Sequence, residues 1–468
     1  MHNSSEPRIN KSILLAVVLV SSFFNPFMGS AVNIALPSIS RELSMNAVSL
    51  SWIAMAFLLS SAVLLVPFGK LADIWGRRRM LLVGNIFFTL STLLCAFSVS
   101  GYMLITSRFI QGIGSAMILS SGMAIIISAF PPEKRGKIIG LNTSAVYVGL
   151  SAAPLLGGVL TQAFGWQSLF FINAAAGMLI IAGIVLGVKA EWAEAKNDRF
   201  DLTGSVIYVL SMSALMYGFS KLPGGFALIL TITGSIGLIF FIAWELRQKT
   251  PVLNIGLFRD NRIFAFSNLA ALINYAATFG ITFILSLYLQ SVKGLSPRDA
   301  GLIMITQPVM MAIVASVSGR LSDRIDSRIL SSSGMAIIVA GLISLVFLTT
   351  ETSSGYLVIT LLVLGFGFGM FSSPNTNSVM SSVEKKFLGT ASATLGTMRL
   401  TGQMFSMAIA AMSIHLFIGD APINEANIPG FMHSVHIVFI VFVILCFMGI
   451  FASLARGRKN PVNYKETS

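Results

Sequence analysis

The sequence predicts an all-α polytopic membrane protein with fourteen transmembrane helices arranged as 6 + 2 + 6. Three observations predict it. Of the 468 residues, 55% are hydrophobic and 10% charged, with a mean hydropathy of +0.83, whereas soluble domains carry about 25% charged residues. The apolar runs are near the twenty residues that cross roughly 30 Å of hydrocarbon at 1.5 Å per residue. A charged stretch between two such runs, Gly69 to Arg79 (GKLADIWGRRR), returns as GRLSDRIDSR from Gly319 to Arg328. Gly319 aligns with Gly69, Asp323 with Asp73 and Arg328 with Arg78, each offset by 250 residues.

Hydropathy places the first six spans at 12–36, 47–69, 80–98, 103–129, 138–160 and 167–188. Two more follow at 203–220 and 225–246, and the last six at 263–290, 299–319, 329–349, 355–377, 389–418 and 431–454. The repeat offset exceeds the length of the first six spans by enough for the central pair. This gives a six-helix half over 1–189, two inserted helices with linkers over 190–261, and a second half with its tail over 262–468. Duplicated halves around a midplane site are a transporter plan.

The loops give an independent reading. With a cytosolic N-terminus, all but six of the 31 Lys and Arg fall in inner segments. Arg41, Lys221, Lys293 and Arg298 lie outside, and Arg108 and Arg399 lie within spans. This is the positive-inside pattern, and an even number of spans puts both termini in the cytosol. The net charge of +13 is therefore topology, and no nucleic-acid partner is expected. The N-terminal apolar run is read as a retained first span at the plasma membrane rather than a cleaved signal. Cys95 and Cys446 lie inside apolar runs, so no disulfide framework is expected.

Four stretches carry chemistry. In the 69–79 loop, Asp73 is the single carboxylate among Lys70, Arg77, Arg78 and Arg79. Gly69 permits close helix approach, and Asp73 can bond backbone donors at a helix end or pair with arginines. In span 4, Arg108 opens RFIQGIGSA; a guanidinium in hydrocarbon costs at least about 2.5–3.5 kcal/mol, so it must face a cavity or a partner. In span 5, Gly149 to Gly158 reads GLSAAPLLGG. There Pro154 removes a backbone bond, while Gly157 and Gly158 let a neighbouring helix approach. Span 1 ends VNIALP, Val32 to Pro37.

In this order, over nearly the whole chain, these stretches resemble the major facilitator superfamily, and most of all its fourteen-span drug:proton antiporters. The resemblance implies a major facilitator fold that exports amphipathic small molecules against protons by alternating access. It implies a gating loop of Gly69, Asp73, Arg77 and Arg78, repeated at Gly319 and Asp323. It also implies that Arg108 lines a central cavity and takes part in proton coupling, and that Gly149, Pro154, Gly157 and Gly158 pack span 5 tightly.

Two departures matter. Ala153 stands where a glycine usually precedes the proline, and aligning span 1 on Asn33 puts Met28 where the family has an aspartate. No replacement acid lies well inside a span: Glu42, Asp201, Glu245, Asp260, Asp299 and Glu384 lie in loops or at membrane edges. With Arg108 inside, the cavity is expected to be neutral to positive and to favour neutral, zwitterionic or anionic amphiphiles. Gln111, Asn33, Asn142 and Asn375 are placed nearest the cavity, and the PNTN stretch around Asn375 is read as a break in span 12. Arg399 is a second buried cation for which a helix-bonding role and a site role are both open.

No GxxxxGK[ST], HExxH or GxSxG motif occurs, and no acid or cysteine accompanies His433 and His436. Neither an enzyme nor a cofactor or metal site is expected. The alternatives are an uncoupled or other-ion-coupled exporter of one metabolite, and a non-transporting membrane sensor or scaffold. A sensor should carry a soluble domain, for which the stretches between spans are too short. A monomer in the lipid bilayer is expected.

Overall fold

Lipid offers no partners to backbone N–H and C=O groups, so a chain of this composition must satisfy them within helices. The computed structural model does so. It describes residues 10–457 apart from 194, 197, 223, 249, 254, 323, 385–387, 420 and 422, and leaves out the side chains of 127, 132–137, 139, 140, 143, 388, 389 and 425. Among the described residues, fourteen helices are long and apolar enough to cross a membrane, and no strand occurs.

Spans 1 to 6 are Lys11–Leu43, Ala47–Trp75, Arg77–Ala96, Gly101–Ala129, Pro132–Phe164 and Gln167–Gly187. Spans 7 and 8 are Leu202–Ser220 and Gly225–Glu245. Spans 9 to 14 are Arg262–Val292, Pro297–Leu321, Ser327–Val346, Ser354–Ser381, Leu388–Ile418 and Ile428–Ala455. The end of the bundle that carries the 69–79 loop is called the basic end here, and the opposite one the far end.

Local chemistry sets the boundaries. Asn10 caps span 1 by accepting from the Ser12 and Ile13 amides at 3.2 Å, and Asn46 caps span 2 from the Ser49 amide at 2.7 Å. Span 2 stops at Gly76, whose φ of +121° turns the chain directly into span 3. Only glycine adopts that conformation without strain.

Packing repeats along the chain. Among spans 1–6 the close pairs include 3 with 4, 2 with 4, 1 with 5, 3 with 6 and 1 with 6. The same pairings recur eight spans later, as 11 with 12, 10 with 12, 9 with 13, 11 with 14 and 9 with 14. Spans 7 and 8 pack chiefly on each other, and span 7 also touches spans 2 and 13. Glycines set the closest approaches. A Cβ on Gly114 would stand 2.6 Å from the Phe88 amide, and one on Gly84 would stand 2.6 Å from Met117 Cβ. Gly334, which keeps the repeat offset from Gly84, would meet Gly367 O at 2.7 Å in the 11–12 pair.

One boundary differs from expectation. Span 12 runs unbroken through Pro374 to Ser381. Gly365 and Gly369 seat it against the backbone of span 10, and Gly367 against span 11. Held on both sides, a membrane helix absorbs the one bond that a proline removes.

The glycine contacts make a direct prediction. Gly114→Val should drive side-chain carbons into the Phe88 backbone and destabilise the bundle by roughly 1–3 kcal/mol. A thermal melt in detergent should show the loss, and an unchanged midpoint would contradict the 3–4 packing.

Candidate functional site

The sequence marks Arg108 as the costliest side chain to place, and it sits deep among spans 2, 3 and 4 with 1% of its surface exposed. Its Nε donates to Ile53 O at 3.2 Å, its guanidinium lies over the Phe57 ring at 4.3 Å, and Nη1 donates to Gln111 Oε1. Gln111 Nε2 donates in turn to Thr92 Oγ1 at 2.5 Å, and Thr92 Oγ1 to Phe88 O at 2.6 Å. The charge is met by one backbone carbonyl, one side-chain amide and an aromatic face, and among the described residues it pairs with no carboxylate. Two charge-assisted bonds from Arg108 and the neutral Gln111–Thr92 bond tie spans 2, 3 and 4 together.

The other candidate residues are distributed through the bundle. Asn142 Oδ1 accepts from Ser22 Oγ at 2.6 Å, tying span 5 to span 1. Asn33 sits towards the far end, where its backbone O accepts from Ser286 Oγ of span 9 at 2.6 Å. Asn375 Nδ2 donates to Ser267 O at 3.1 Å, joining spans 12 and 9. Only Arg108 and Gln111 are brought into direct contact with each other. Met28 is fully buried in the apolar core.

A second polar group bridges the two sets of spans, and the sequence marked only one of its members. Tyr147 of span 5 and Ser372 of span 12 share a hydrogen bond of 2.9 Å. One turn along, Thr376 accepts from Arg399 Nη2 of span 13 at 2.6 Å, and its own hydroxyl donates to Ser372 O at 2.8 Å. The Arg399 guanidinium stands 5.7 Å from the Tyr275 ring of span 9. Arg399 is part-exposed, its Nε has no hydrogen-bond partner, and among the described residues it pairs with no carboxylate. The arrangement offers a half-wet cation, a phenol and two hydroxyls between four helices. That chemistry suits carbonyl, carboxylate or phosphate oxygens.

From the middle of the bundle towards the far end the motif of span 5 forms a seam. A Cβ on Gly149 would overlap Phe23 O, and one on Gly157 would meet Ala31 Cα at 3.1 Å, both in span 1. A Cβ on Gly158 would overlap Pro297 O of span 10, and one on Gly301 of span 10 would overlap Pro154 O. Gln290 Nε2 adds a bond to Ile34 O at 2.9 Å. Beside this seam a cavity of ≈ 570 Å³ is lined by Arg41, Leu50, Leu287, Gln290 and Ser296, among others.

At the basic end Asp73 accepts from Arg77 at 2.7–2.8 Å, and Arg77 Nη1 reaches Ala124 O at 3.4 Å and Ser128 Oγ in span 4. The segment after span 6 clamps this loop. Glu191 accepts from the Arg78 and Arg79 amides at 2.8 and 3.2 Å, Trp192 O accepts from the Arg77 amide at 2.8 Å, and Asp73 O accepts from the Ala195 amide at 3.0 Å. Arg78 Nε donates to Val188 O, and Lys70 pairs with Asp198 at 2.6 Å. Gly69 is not a close-approach position here, because a Cβ on it would meet nothing within 4 Å. Gly319 does face a neighbour, with Ser373 Oγ 2.6 Å from its Cβ position, and Asp323 lies outside the described residues.

The helices are thus joined by a part-buried polar bridge and by small-residue seams. Comparison with known proteins gives the family. The model of the Major Facilitator Superfamily matches residues 18–407 and again 269–467, and the chain belongs to that superfamily of transporters. It is 30% identical to the multidrug resistance protein Stp of Mycobacterium tuberculosis, over 86% of this chain and 76% of that one. It is 29% identical to the riboflavin transporter RibZ of Clostridioides difficile, over 83% and 85% of the two chains. A crystal structure of a bacterial homologue of the human lysosomal transporter Spinster, inward-facing and unoccupied, matches with a TM-score of 0.65. That likeness covers 96% of this chain and 98% of that one at 18% identity, and it is one of fold.

The two arginines should respond differently to truncation. Arg108→Ala leaves Gln111 Oε1 and Ile53 O without their buried donor, a loss of roughly 1–3 kcal/mol. Arg399→Ala leaves a part-exposed hydroxyl that water can reach, so its melting midpoint should fall less. Equal losses in a detergent melt would contradict this division of roles.

Proposed function

We propose that this transporter exports amphipathic small molecules of neutral, zwitterionic or anionic character, by proton-coupled alternating access between spans 1–6 and spans 9–14. The observation that carries the reading is the bridge of Tyr147, Ser372, Thr376 and Arg399. It puts a cation with spare hydrogen-bonding capacity between the two sets of spans, with no carboxylate partner among the described residues. Arg108 contributes positive potential from span 4, and Met28 removes the acid that would attract a lipophilic cation.

The recurrence of the helix pairings eight spans apart supports two six-helix halves with spans 7 and 8 inserted between them. In this reading the halves meet at the far end where Pro154 and Gly158 of span 5 face span 10, and they part at span 10 to release substrate. Gly149 and Gly157 hold span 5 to span 1 within the first half. Gly69 and Asp73 sit where the basic end would close, and the clamp by Glu191 and Trp192 holds that loop in shape for either state. The cation-rich end faces the cytosol of a plasma membrane, with both termini inside, and the chain works as a monomer. The similarity to Stp favours a broad range of amphiphiles. The similarity to RibZ favours a second reading, transport of one neutral planar metabolite such as riboflavin.

Counterflow in proteoliposomes tests both. Riboflavin, an anionic amphiphile and a dicationic dye are compared with and without an imposed pH gradient. The proposal predicts exchange of the first two and gradient-driven accumulation of at least one. Arg399→Gln should weaken uptake of the anion by at least about tenfold, the effect of losing one charge-assisted contact of ~1.5 kcal/mol. Transport of the dye, competed by the neutral compound, would overturn the charge preference. Exchange of riboflavin alone would select the second reading.

A further inference from the structure

The sequence places Glu245 at a membrane edge, and the structure buries it. Its side chain closes span 8 with 3% of its surface exposed. It is not alone there. Asp201, the N-cap of span 7, lies against it, and Asp201 Oδ2 and Glu245 Oε1 each stand 2.5 Å from where a Cβ on Gly204 would be. A side chain at position 204 would occupy the space between the two carboxyl groups.

The remaining oxygens are used. Asp201 Oδ1 accepts from the Gly204 amide at 2.8 Å, and Oδ2 accepts from Trp244 Nε1 at 3.0 Å. Glu245 Oε2 accepts from the Leu253 amide at 3.0 Å. Glu245 Oε1 is buried, turned towards Asp201, and has no partner among the described residues. Among the described residues no cation pairs with either carboxylate. Span 2 presents Val66 to the apolar cluster formed by Tyr208, Phe241 and Val252, and Lys70, one turn further on, is bonded to Asp198. The nearest described cations in sequence, Arg199 and Arg247, have exposed side chains.

Two ionised carboxylates cannot share such a space without a large repulsion and desolvation cost. Binding one proton removes the repulsion and the desolvation cost of the charge it neutralises, and leaves one carboxylate that the Gly204 amide and Trp244 Nε1 already bond. Glu245 then carries an O–H that donates to the Asp201 carboxylate, and the orphan oxygen is satisfied. We propose that Glu245 and Asp201 form a proton-binding site that holds one proton between them at neutral pH. The exchange is with water: a proton is taken up by the carboxylate pair and released as hydroxide concentration rises, with no other reactant. The two central helices thus carry a titratable site of their own, beside the segment that clamps the 69–79 loop. This goes beyond the transport reading and does not depend on it.

Infrared difference spectra of the purified full-length protein in lipid, titrated from about pH 5 to pH 9, test the site without transport. The proposal predicts a protonated-carboxyl C=O band that persists at about pH 7, where ordinary carboxylates are ionised, and that is missing in Glu245→Gln. A band unchanged in Glu245→Gln would overturn it. If that variant does not fold, Asp201→Asn leaves Glu245 in place and removes the neighbouring charge. The band should then disappear at lower pH than in the parent protein, and an identical titration in the two proteins would overturn the proposal.

Discussion

The structure depends on backbone meeting backbone at the far-end seam. Span 5 approaches span 1 at Gly149 and, less closely, at Gly157, and span 10 at Gly158 and opposite Gly301, with no room for a Cβ on Gly149, Gly158 or Gly301. In lipid, apolar surface gives helices little reason to associate, so close packing and short polar bonds must supply the attraction. The bonds from Ser286 and Gln290 to the carbonyls of Asn33 and Ile34 are of that kind. Such a seam is tight without interlocking side chains. Surfaces of this type can separate and rejoin without rotamer changes deep in the core.

The seam fixes how the two sets of spans face each other, and the charges follow from it. Cations hold the interior, with Arg108 inside spans 2 to 4 and Arg399 between the sets. Described acids sit at the two ends of the bundle. Glu191 and Asp198 bind the 69–79 loop and its neighbours at the basic end, where Asp201 and Glu245 also face each other, and Glu42 takes Trp166 and Gln167 at the far end. Both arginines are paid for by hydroxyls, amides, carbonyls and aromatic faces rather than by counter-charges. This leaves residual positive potential in the middle of the bundle, which is the basis for expecting anionic or neutral ligands there.

Much of this was legible in the sequence, for definite reasons. A twenty-residue apolar run has one way to satisfy its backbone in lipid, so the fourteen helices could be read from hydropathy. Gly149, Gly157 and Gly158 could be read as packing positions because small residues spaced along one span have little other use. What failed was partner identity. Gly69 looked like Gly158 in sequence, but nothing opposes it in this structure. Pro374 looked like a break, yet flanking glycines pin the helix on both sides. Tyr147 and Tyr275 gave no signal because one phenol among many aromatic residues is marked only by what lies across the bundle. Glu245 does stand at the end of span 8, as read, but its burial gave no signal because depth along a helix does not report what covers its end.

The account stands on the seam being a contact that opens during transport. Cysteines in place of Asn33 and Ser286 put a thiol on each side of it, and the native Cys95 and Cys446 are both buried. Oxidising that pair in proteoliposomes should abolish counterflow, and reduction should restore it. Full counterflow from a protein that stays cross-linked would show that substrate crosses without parting the far end, and would contradict the account.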